Sequence, residues 1–314
     1  MELIYVTGNK KKIHAAKNIL EKENIKVKAI DLDLKEIQAN PIEVAIQKAR
    51  DAYQILNSPL IINDSCLLID SLNGFPGSYS KYVEETLKDN GILKLLHGET
   101  NRKASYLDTL VYIDKYGYQV FTDTTDGKIS LESFAGNFYP YDKIFIKEGD
   151  EYPIAYYKEK LDKLYENKTY LKLANFFNKR KVARGITFIG EQVLLLHRIR
   201  KEGDKYLEYH AIPGGGVEDE SIEEACIREL KEETSLDVSI NSYLGFEEYE
   251  TGVCYYFLTN YQGGTPILGG EEKEKNNPDN FYEIKLIDVS LVDSLNMYGI
   301  NKEMIQKAYQ IYKN

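Results

Sequence analysis

Residues 213–236, PGGGVEDESIEEACIRELKEETSL, decide the fold of the C-terminal half of this 314-residue chain. A glycine-rich turn leads into a helix that extends to about Thr234. This helix places Glu229, Glu232 and Glu233 at positions i, i+3 and i+4, on one face of one turn. Carboxylates so close together repel one another unless a hard divalent cation binds between them. Magnesium is therefore the expected cofactor, with manganese as the alternative.

This segment resembles the Nudix box along its whole length. Gly214, Glu220 and the run Arg228–Leu236 follow in the order and spacing of that family. The resemblance implies a Nudix α/β/α sandwich in which the three glutamates bind the metal. It also implies that Glu232 and Glu233 take part in catalysis.

The glycines before the helix have a matching purpose. Because they lack Cβ, Gly214 and Gly215 let the backbone approach a metal and a diphosphate closely. Arg228 is expected to orient a glutamate more than to touch substrate. Ser235 departs from the family, which usually has glycine there, and this departure concerns the shape of the turn more than the metal ligands.

The N-terminal half alternates between strand-like and helix-like patterns. Residues 2–7 predict a strand and residues 11–23 a helix; Pro41 opens a further helix, and residues 60–62 predict a buried strand that Asp64 ends. This succession is typical of an α/β domain. A charged helical stretch over residues 156–181 precedes a new series of strands. The sequence therefore predicts two domains, residues 1–180 and 181–314, of α/β and α+β class.

The first strand runs directly into the sequence TGNKKK at Thr7 to Lys12 and then into a helix. Backbone amides at the start of a helix attract phosphate, Gly8 permits the sharp turn, and Lys12 can reach a terminal phosphate. A capped helix with a solvated lysine cluster is the plainer interpretation of this motif alone.

Four further segments, EIQ at 36–38, IEVAIQKA at 42–49, NDSCL at 63–67 and GFPGSYSK at 74–81, complete a pattern over residues 1–150. In order and spacing it resembles the inosine triphosphate pyrophosphatase family. The resemblance implies an elongated, two-lobed, mixed-sheet α/β domain, commonly dimeric, that cleaves nucleoside triphosphates to monophosphate and pyrophosphate. It implies roles for eight residues: phosphate or nucleotide binding for Thr7, Asn9, Lys12, Lys48, Lys81 and Asp142, and magnesium binding for Glu43 and Asp64, the latter also helping to activate water.

Three departures from this family bear on the base and the metal. Asn63 replaces the acidic residue usual before Asp64, and Pro140 and Lys143 alter the loop around Asp142. The Ser-His-Arg that typically contacts the base is not visible, and residues 164–168 occupy its place. The ordinary inosine triphosphate activity, a shifted base preference and a largely inactive scaffold all remain open.

Composition limits the partners. A formal net charge of −10 argues against long nucleic acid, because a duplex binder usually carries a basic face. No segment approaches the apolar length of a membrane span, and neither a signal peptide nor a disulfide framework is indicated. A cytoplasmic location is expected.

Together these features favour a fusion of two metal-dependent nucleotide pyrophosphohydrolases. The substrates would be modified nucleoside triphosphates or other nucleoside diphosphate derivatives, and both halves would attack phosphorus with metal-activated water. In a second interpretation the N-terminal half is a nucleotide sensor or a homodimerisation module. A third, removal of a cap or diphosphate from an RNA end, is disfavoured by the acidic balance.

Overall fold

The computed structural model describes residues 1–161 and 168–314. Its internal contacts divide into two compact units, Met1–Phe177 and Asn178–Asn314. Each unit is built on a mixed sheet with packed helices, which confirms the predicted fold class. In the part of the chain that the structure describes, no helix is both long and apolar enough to cross a membrane.

The N-terminal unit contains a six-stranded sheet in the order β2-β1-β3-β4-β5-β6. Strand β1 runs parallel to β2 and β3, and the other pairs are antiparallel. In chain order its elements are β1 (Glu2–Val6), α1 (Lys10–Leu20), β2 (Lys26–Ile30), α2 (Pro41–Leu56), β3 (Leu60–Ile69), α3 (Ser80–Thr86), α4 (Lys88–Leu95), β4 (Lys103–Asp114), β5 (Gly117–Ile129), β6 (Phe145–Lys147), α5 (Ile154–Leu161) and α6 (Lys168–Asn178).

Helix α2 begins where the sequence predicts and packs on one face of this sheet. Pro41 occupies its first turn, and the Asn40 side chain accepts a hydrogen bond from the Glu43 backbone amide at 3.0 Å. Its alanine face is buried against β3 and β4, through Ala45, Ala49, Ala52, Leu60, Ile62 and Val111. The small residues let the helix lie close to the sheet, which fixes the position of the polar side chains beside them.

The prediction that Asp64 ends its strand is wrong. Strand β3 continues to Ile69, and Asp64 lies in its middle, paired with Thr109 of β4. The strand continues because Leu67 and Ile69 enter a second apolar cluster beyond the polar residues. Alternation along the strand places Asp64 on the same face as Ile62, which is the face that α2 covers.

The helical prediction for residues 156–181 is also wrong at its end. Helix α6 ends at Asn178, and a strand starts at Arg180 because it pairs in parallel with a strand beginning at Gly252. Lys179 donates to the carboxylate of Glu248 at 2.8 Å. Tertiary pairing thus overrides the local helical pattern. The segment 164–168, which takes the place of the Ser-His-Arg motif, lies outside the described residues except for Lys168.

The C-terminal unit contains a seven-stranded sheet whose main path is β11-β12-β7-β8-β13, with β10 paired to β7 and β9 to β8. Only the β7–β12 pair is parallel. In chain order its elements are β7 (Arg180–Ile189), β8 (Gln192–Glu202), β9 (Lys205–Ala211), β10 (Gly214–Gly216), α7 (Ile222–Thr234), β11 (Asp237–Tyr249), β12 (Gly252–Gly263), α8 (Gly270–Glu274), β13 (Asn280–Asp288) and α9 (Asn301–Tyr312).

Helices α7 and α9 cover opposite faces of this sheet. Ile186 of β7 packs with Ile305 of α9 in the main core of the unit. A Cβ on Gly185, the next residue along β7, would lie 2.6 Å from the Leu230 side chain of α7 and 3.0 Å from Cys226 Sγ. This alternation confirms the α/β/α sandwich.

The end of α7 explains the departure at Ser235. This residue has a φ of 62°, in the left-handed region where glycine avoids the steric penalty of Cβ. Its hydroxyl donates to the Ile267 carbonyl at 3.1 Å, and its amide to the Lys231 carbonyl at 3.0 Å. The serine hydroxyl thus gains one contact while the backbone remains strained.

We expect Ser235→Gly to be more stable than Ser235→Ala by about 1 kcal/mol. Both variants lose the hydroxyl contact with Ile267, so their difference isolates the left-handed backbone. The measurement is the midpoint of urea unfolding of the full chain. Equal midpoints would contradict this account of the helix end.

Candidate active sites

Helix α7 presents the predicted carboxylates as the sequence suggests. The Ser221 hydroxyl accepts from the Glu224 amide at 3.2 Å, and the Glu224 carboxylate accepts from the Ser221 amide at 2.9 Å, which fixes the start of the helix. The C-terminal turns of the same helix carry the three candidate ligands. They differ in exposure, since Glu233 is buried and Glu232 is exposed.

Glu233 is the most constrained of the three. Glu233 is only 6% exposed, and its Oε2 accepts a hydrogen bond from the Gly214 amide at 2.8 Å. Burial raises the pKa of this carboxyl to about 8, and the charge of Glu272 adds to the effect. The ionised form therefore lacks sufficient compensation within the protein, which suits a carboxylate that binds a cation.

Arg228 holds the other members of the Nudix pattern together. Its guanidinium donates to Glu220 at 2.7 Å, to Glu229 at 2.8 Å and to Glu232 at 3.1 Å, and also to the carbonyl of Gly216 at 2.9 Å. This arrangement agrees with a role in orienting glutamates. A metal that used Glu229 and Glu232 would compete with Arg228 for their oxygens.

The glycine strand β10 lies directly against these side chains. A Cβ on Gly215 would lie 2.3 Å from the Glu229 carboxylate, so a larger residue there would displace that side chain from its present position. Burial raises the pKa of Glu229, with Arg228 opposing the shift. The backbone and the carboxylate thus share one small volume, as expected for a site that positions oxygen ligands.

Sequence reasoning missed Glu272. This residue lies in the short helix α8, and its charge contributes to the raised pKa values of both Glu229 and Glu233. The chain reaches it through Gly269, whose amide donates to the Glu233 carbonyl at 3.0 Å. Its only signal in the sequence is an acidic pair after two glycines, far from the helix that it faces.

In the N-terminal unit, the loop before α1 is organised by its own side chains. The Asn9 carboxamide accepts from the amides of Lys11 and Lys12 at 3.0 and 3.3 Å, and Thr7 Oγ1 accepts from the Asn9 amide at 3.1 Å. In this structure, Asn9 caps the helix and Thr7 holds the Asn9 amide. Phosphate binding by these two residues therefore remains a prediction, and it would replace bonds that the loop already makes.

Two lysines flank Asp64. Lys12 Nζ donates to the Asn63 carbonyl at 2.7 Å, and burial lowers its pKa although the charge of Asp64 opposes the shift. Lys48 Nζ lies 3.0 Å from Asp64 and 3.1 Å from Glu36. Burial alone would lower the pKa of Lys48, but these two carboxylates raise it. The structure thus brings Lys12, Lys48 and Asp64 together.

Among the described residues, no side-chain hydrogen bond or ion pair links Glu43 or Lys81 to this group. Glu43 is exposed in the first turn of α2, and Lys81 is exposed in α3. Asp142 is held at 2.6 Å by Lys158, a partner that the sequence did not predict. Lys143, one of the departures in this loop, lies 2.8 Å from the buried Asp89, so the substitution supplies a structural ion pair.

Asn63 and Asp108 are two further polar residues of the N-terminal unit. The Asn63 side chain is buried and donates to the Thr109 carbonyl at 3.3 Å, so it serves the sheet. Asp108 accepts a hydrogen bond from Ser65, and burial raises its pKa while Lys12 opposes the shift. Sequence reasoning missed Asp108, because it sits within an ordinary strand pattern.

The candidate ligands on α7 and around Asp64 suit a hard divalent cation, since all of them are carboxylates. Within residues 1–161 and 168–314, no three acidic, histidine or cysteine side chains converge into a ready-made metal cluster. The buried Glu233, which has a backbone amide as partner, fits a cation best. In the N-terminal unit Asp64 fits this role with Lys48 as its present partner.

The chain matches two family models. The Ham1 family model covers residues 3–165, and the NUDIX domain model covers residues 179–307. These matches confirm the resemblances seen in the sequence.

Curated relatives and a solved structure align with the N-terminal part. A dITP/XTP pyrophosphatase of Methanopyrus kandleri is 43% identical over 157 residues, which are 49% of this chain and 84% of that protein. The dITP/XTP pyrophosphatase of Thermococcus kodakarensis is 39% identical over 150 residues, 48% of this chain and 81% of that protein. A HAM1 protein from Coxiella burnetii shares the fold, with a TM-score of 0.50, 22% identity, and coverage of 56% of this chain and 98% of that one.

The raised pKa of Glu233 has a consequence for stability. Because the folded-state pKa of Glu233 lies near 8, above the ordinary 4.5, the folded protein binds this proton more tightly than the unfolded chain does. The stability that comes from this proton is complete below pH 4.5 and is lost as the pH rises to about 8. In EDTA at pH 9 we therefore expect Glu233→Gln to be more stable than the wild type by about 1 kcal/mol or more. At pH 4.5 this advantage should vanish.

Thermal unfolding at both pH values measures this effect. Glu232→Gln is the matched control, because Glu232 lies on the same turn but is exposed, and it should follow the wild type. A Glu233→Gln variant less stable than the wild type at pH 9 would refute the proposed burial of an uncompensated charge.

Proposed function

Because the chain belongs to the Ham1 family and carries a NUDIX domain at residues 179–307, we propose that it is a metal-dependent nucleotide pyrophosphohydrolase with two active sites. Its N-terminal site would convert modified nucleoside triphosphates to monophosphates and pyrophosphate. Its C-terminal site would hydrolyse a second nucleoside diphosphate derivative. The role would be the removal of damaged nucleotides from the pool.

The observation that carries this proposal is the group formed by Lys12, Asp64 and Lys48. Two lysines beside one carboxylate supply positive charge for a polyphosphate and a base for water within the same small region. The curated relatives that match this half are dITP/XTP pyrophosphatases, which supports purine nucleoside triphosphates with a deaminated base as substrates.

The reaction at this site would be an in-line displacement. Water attacks the α-phosphorus, the bond to the bridging oxygen of the β-phosphate breaks, and pyrophosphate leaves. Asp64 would accept the proton of the attacking water, once substrate phosphates draw Lys48 away from its carboxylate. Lys12 would remain beside the Asn63 carbonyl and face the leaving phosphates.

Magnesium, or manganese in its place, would neutralise phosphate charge and lower the pKa of water at both sites. Glu43 and Asp64 would hold it in the N-terminal unit, and Glu229, Glu232 and Glu233 in the C-terminal unit. In the C-terminal unit, Glu233 would keep its position through the Gly214 amide, while Arg228 would give up its contacts with Glu229 and Glu232 and keep Glu220.

A binding role for the N-terminal half is the second candidate. It is favoured by the Asn63 side chain, which serves the sheet and offers no carboxylate, and by Lys48, which already pairs with Asp64 and Glu36. In that case this half would sense nucleotides or support a homodimer. Catalysis would belong to the NUDIX half alone.

We also propose a cytoplasmic location. Cys66, Cys226 and Cys254 are free and buried, which suits a reducing compartment.

Substitution of one carboxylate in each half tests the two sites separately. We expect Asp64→Asn to lower pyrophosphate release from dITP and XTP by about 10²-fold or more, because the variant loses its base. Glu233→Gln should leave that release within about twofold. The assay is product analysis for pyrophosphate and phosphate over a panel of ordinary, deaminated and oxidised nucleoside triphosphates and nucleoside diphosphate derivatives.

Two outcomes of this panel would overturn parts of the proposal. Full pyrophosphate release by Asp64→Asn would favour the binding role for the N-terminal half. Full activity of Glu233→Gln on every substrate would end the catalytic assignment of the NUDIX half.

Metal removal gives an independent check. We expect EDTA to abolish hydrolysis at both sites and Mg²⁺ to restore it, with Mn²⁺ as a working substitute, because phosphate charge must be neutralised for attack. Measuring both products before and after metal addition tests this. Hydrolysis that persists in EDTA at either site would contradict the metal role there.

A further inference from the structure

A buried threonine hydroxyl in the N-terminal unit has no hydrogen-bond partner. Thr109 lies in β4 and is only 1% exposed, and its Oγ1 meets neither a donor nor an acceptor in the part of the chain that the structure describes. Most buried hydroxyls in folded proteins are hydrogen-bonded, because an unsatisfied polar group loses its contacts with water and gains nothing in return. This hydroxyl therefore needs a partner that the free protein does not supply.

The register of the sheet places Thr109 directly opposite Asp64. The two residues are paired across the antiparallel strands β3 and β4, so their side chains leave the sheet on the same face. The Cβ atoms of such a pair lie about 4.5–5.5 Å apart, which brings a hydroxyl and a carboxylate within reach of each other. Rotation of the two side chains can then join them.

The sheet also fixes the backbone of Thr109. The Asn63 carboxamide donates to the Thr109 carbonyl at 3.3 Å, and Asn63 is itself buried. The next two residues of β4, Leu110 and Val111, are fully buried. Side-chain rotation is therefore the movement by which the Thr109 hydroxyl gains a partner.

In the present arrangement Asp64 accepts from Lys48. Lys48 Nζ lies 3.0 Å from Asp64 Oδ1 and 3.1 Å from Glu36. In the proposed reaction, the substrate phosphates draw this lysine away when the carboxylate has to accept a proton from water. Asp64 then loses the donor that orients it, and a neighbouring hydroxyl is a suitable replacement.

Thr109 is placed to act through Asp64 and not on the substrate. Its 1% exposure keeps it out of reach of a nucleotide, whereas Asp64 is half-buried and can meet both water and Thr109. A hydroxyl donates one hydrogen bond and carries no charge. It can therefore orient the carboxylate without an ion pair that would compete with the substrate phosphates.

We propose, on the basis of the proposed N-terminal activity, that Thr109 is a positioning residue for Asp64. When Lys48 turns to the substrate phosphates, the Thr109 hydroxyl donates to the Asp64 carboxylate and holds it toward the attacking water. The carboxylate keeps lone pairs for the proton of that water. In the free protein the hydroxyl is unsatisfied because Lys48 orients its acceptor.

Thr109→Val removes the hydroxyl and keeps the shape of the side chain, so it tests this role with dITP in the full-length Glu233→Gln background. We expect kcat for pyrophosphate release to fall about tenfold or more, the usual effect of losing a partner that orients a functional carboxylate. KM should stay within about twofold, because the two lysines beside Asp64 are unchanged. Thr109→Ser keeps a hydroxyl and should restore kcat to within about threefold of the parent.

Thr122→Val is the matched control. Thr122 pairs with Thr109 across β4 and β5, so it carries the same hydroxyl one strand farther from Asp64. This variant should keep the kcat of the parent. An unchanged kcat in Thr109→Val, or an equal loss in Thr122→Val, would overturn the inference.

Hydrogen exchange separates positioning from a purely structural role. Thr109→Val replaces an unsatisfied hydroxyl by a methyl group of similar size. We therefore expect amide exchange in β4, measured by mass spectrometry in EDTA, to be no faster than in the parent. Faster exchange in Thr109→Val would assign the lower kcat to a damaged sheet and contradict the proposal.

A crystal structure of the full chain with α,β-imido-dITP separates the inference from the proposed function. The inference predicts Thr109 Oγ1 at about 2.7 Å from an Asp64 oxygen, with Lys48 on the phosphates. If hydrolysis is absent but this bond is present, the N-terminal activity fails and the positioning of Asp64 by Thr109 stands. If hydrolysis occurs and the bond is absent, the activity stands and the role of Thr109 fails.

Discussion

Both candidate sites depend on one constraint, which is that their carboxylates must remain available beside a negatively charged polyphosphate. The C-terminal unit meets it by burial: Glu233 keeps one backbone donor, from Gly214, and its charge stays largely uncompensated. The N-terminal unit meets it with cations, because Lys48 contacts Asp64 directly. Burial leaves the Glu233 charge available to a cation, whereas Lys48 balances the charge of Asp64.

The elements around each site follow from this constraint. In the C-terminal unit, Gly215 lets the glycine strand pass the Glu229 carboxylate without displacing it, and Arg228 holds the neighbouring glutamates. In the N-terminal unit, the alanine face of α2 brings Lys48 close to the sheet, where the middle of β3 presents Asp64. Packing thus sets the distances on which the chemistry depends.

Local patterns predicted much of this architecture. The glycine turn and the i, i+3, i+4 glutamates predicted α7 and the placement of its candidate ligands, because both act within one short segment. Local patterns did not predict residues that join a site only through tertiary contacts. Glu272 approaches α7 from a distant part of the chain, and Asp108 lies in a regular strand. Helix α6 ended early because Arg180 joins a parallel strand pair that no local pattern reveals.

The central claim is that each half holds its own divalent cation through its own carboxylates. A Mn²⁺ titration followed by electron paramagnetic resonance, with α,β-imido-dITP present, tests it most directly. The account predicts two classes of bound Mn²⁺. Asp64→Asn should remove one class and Glu233→Gln the other, each leaving its counterpart intact. Loss of both classes in either variant, or of neither in both, would contradict the account.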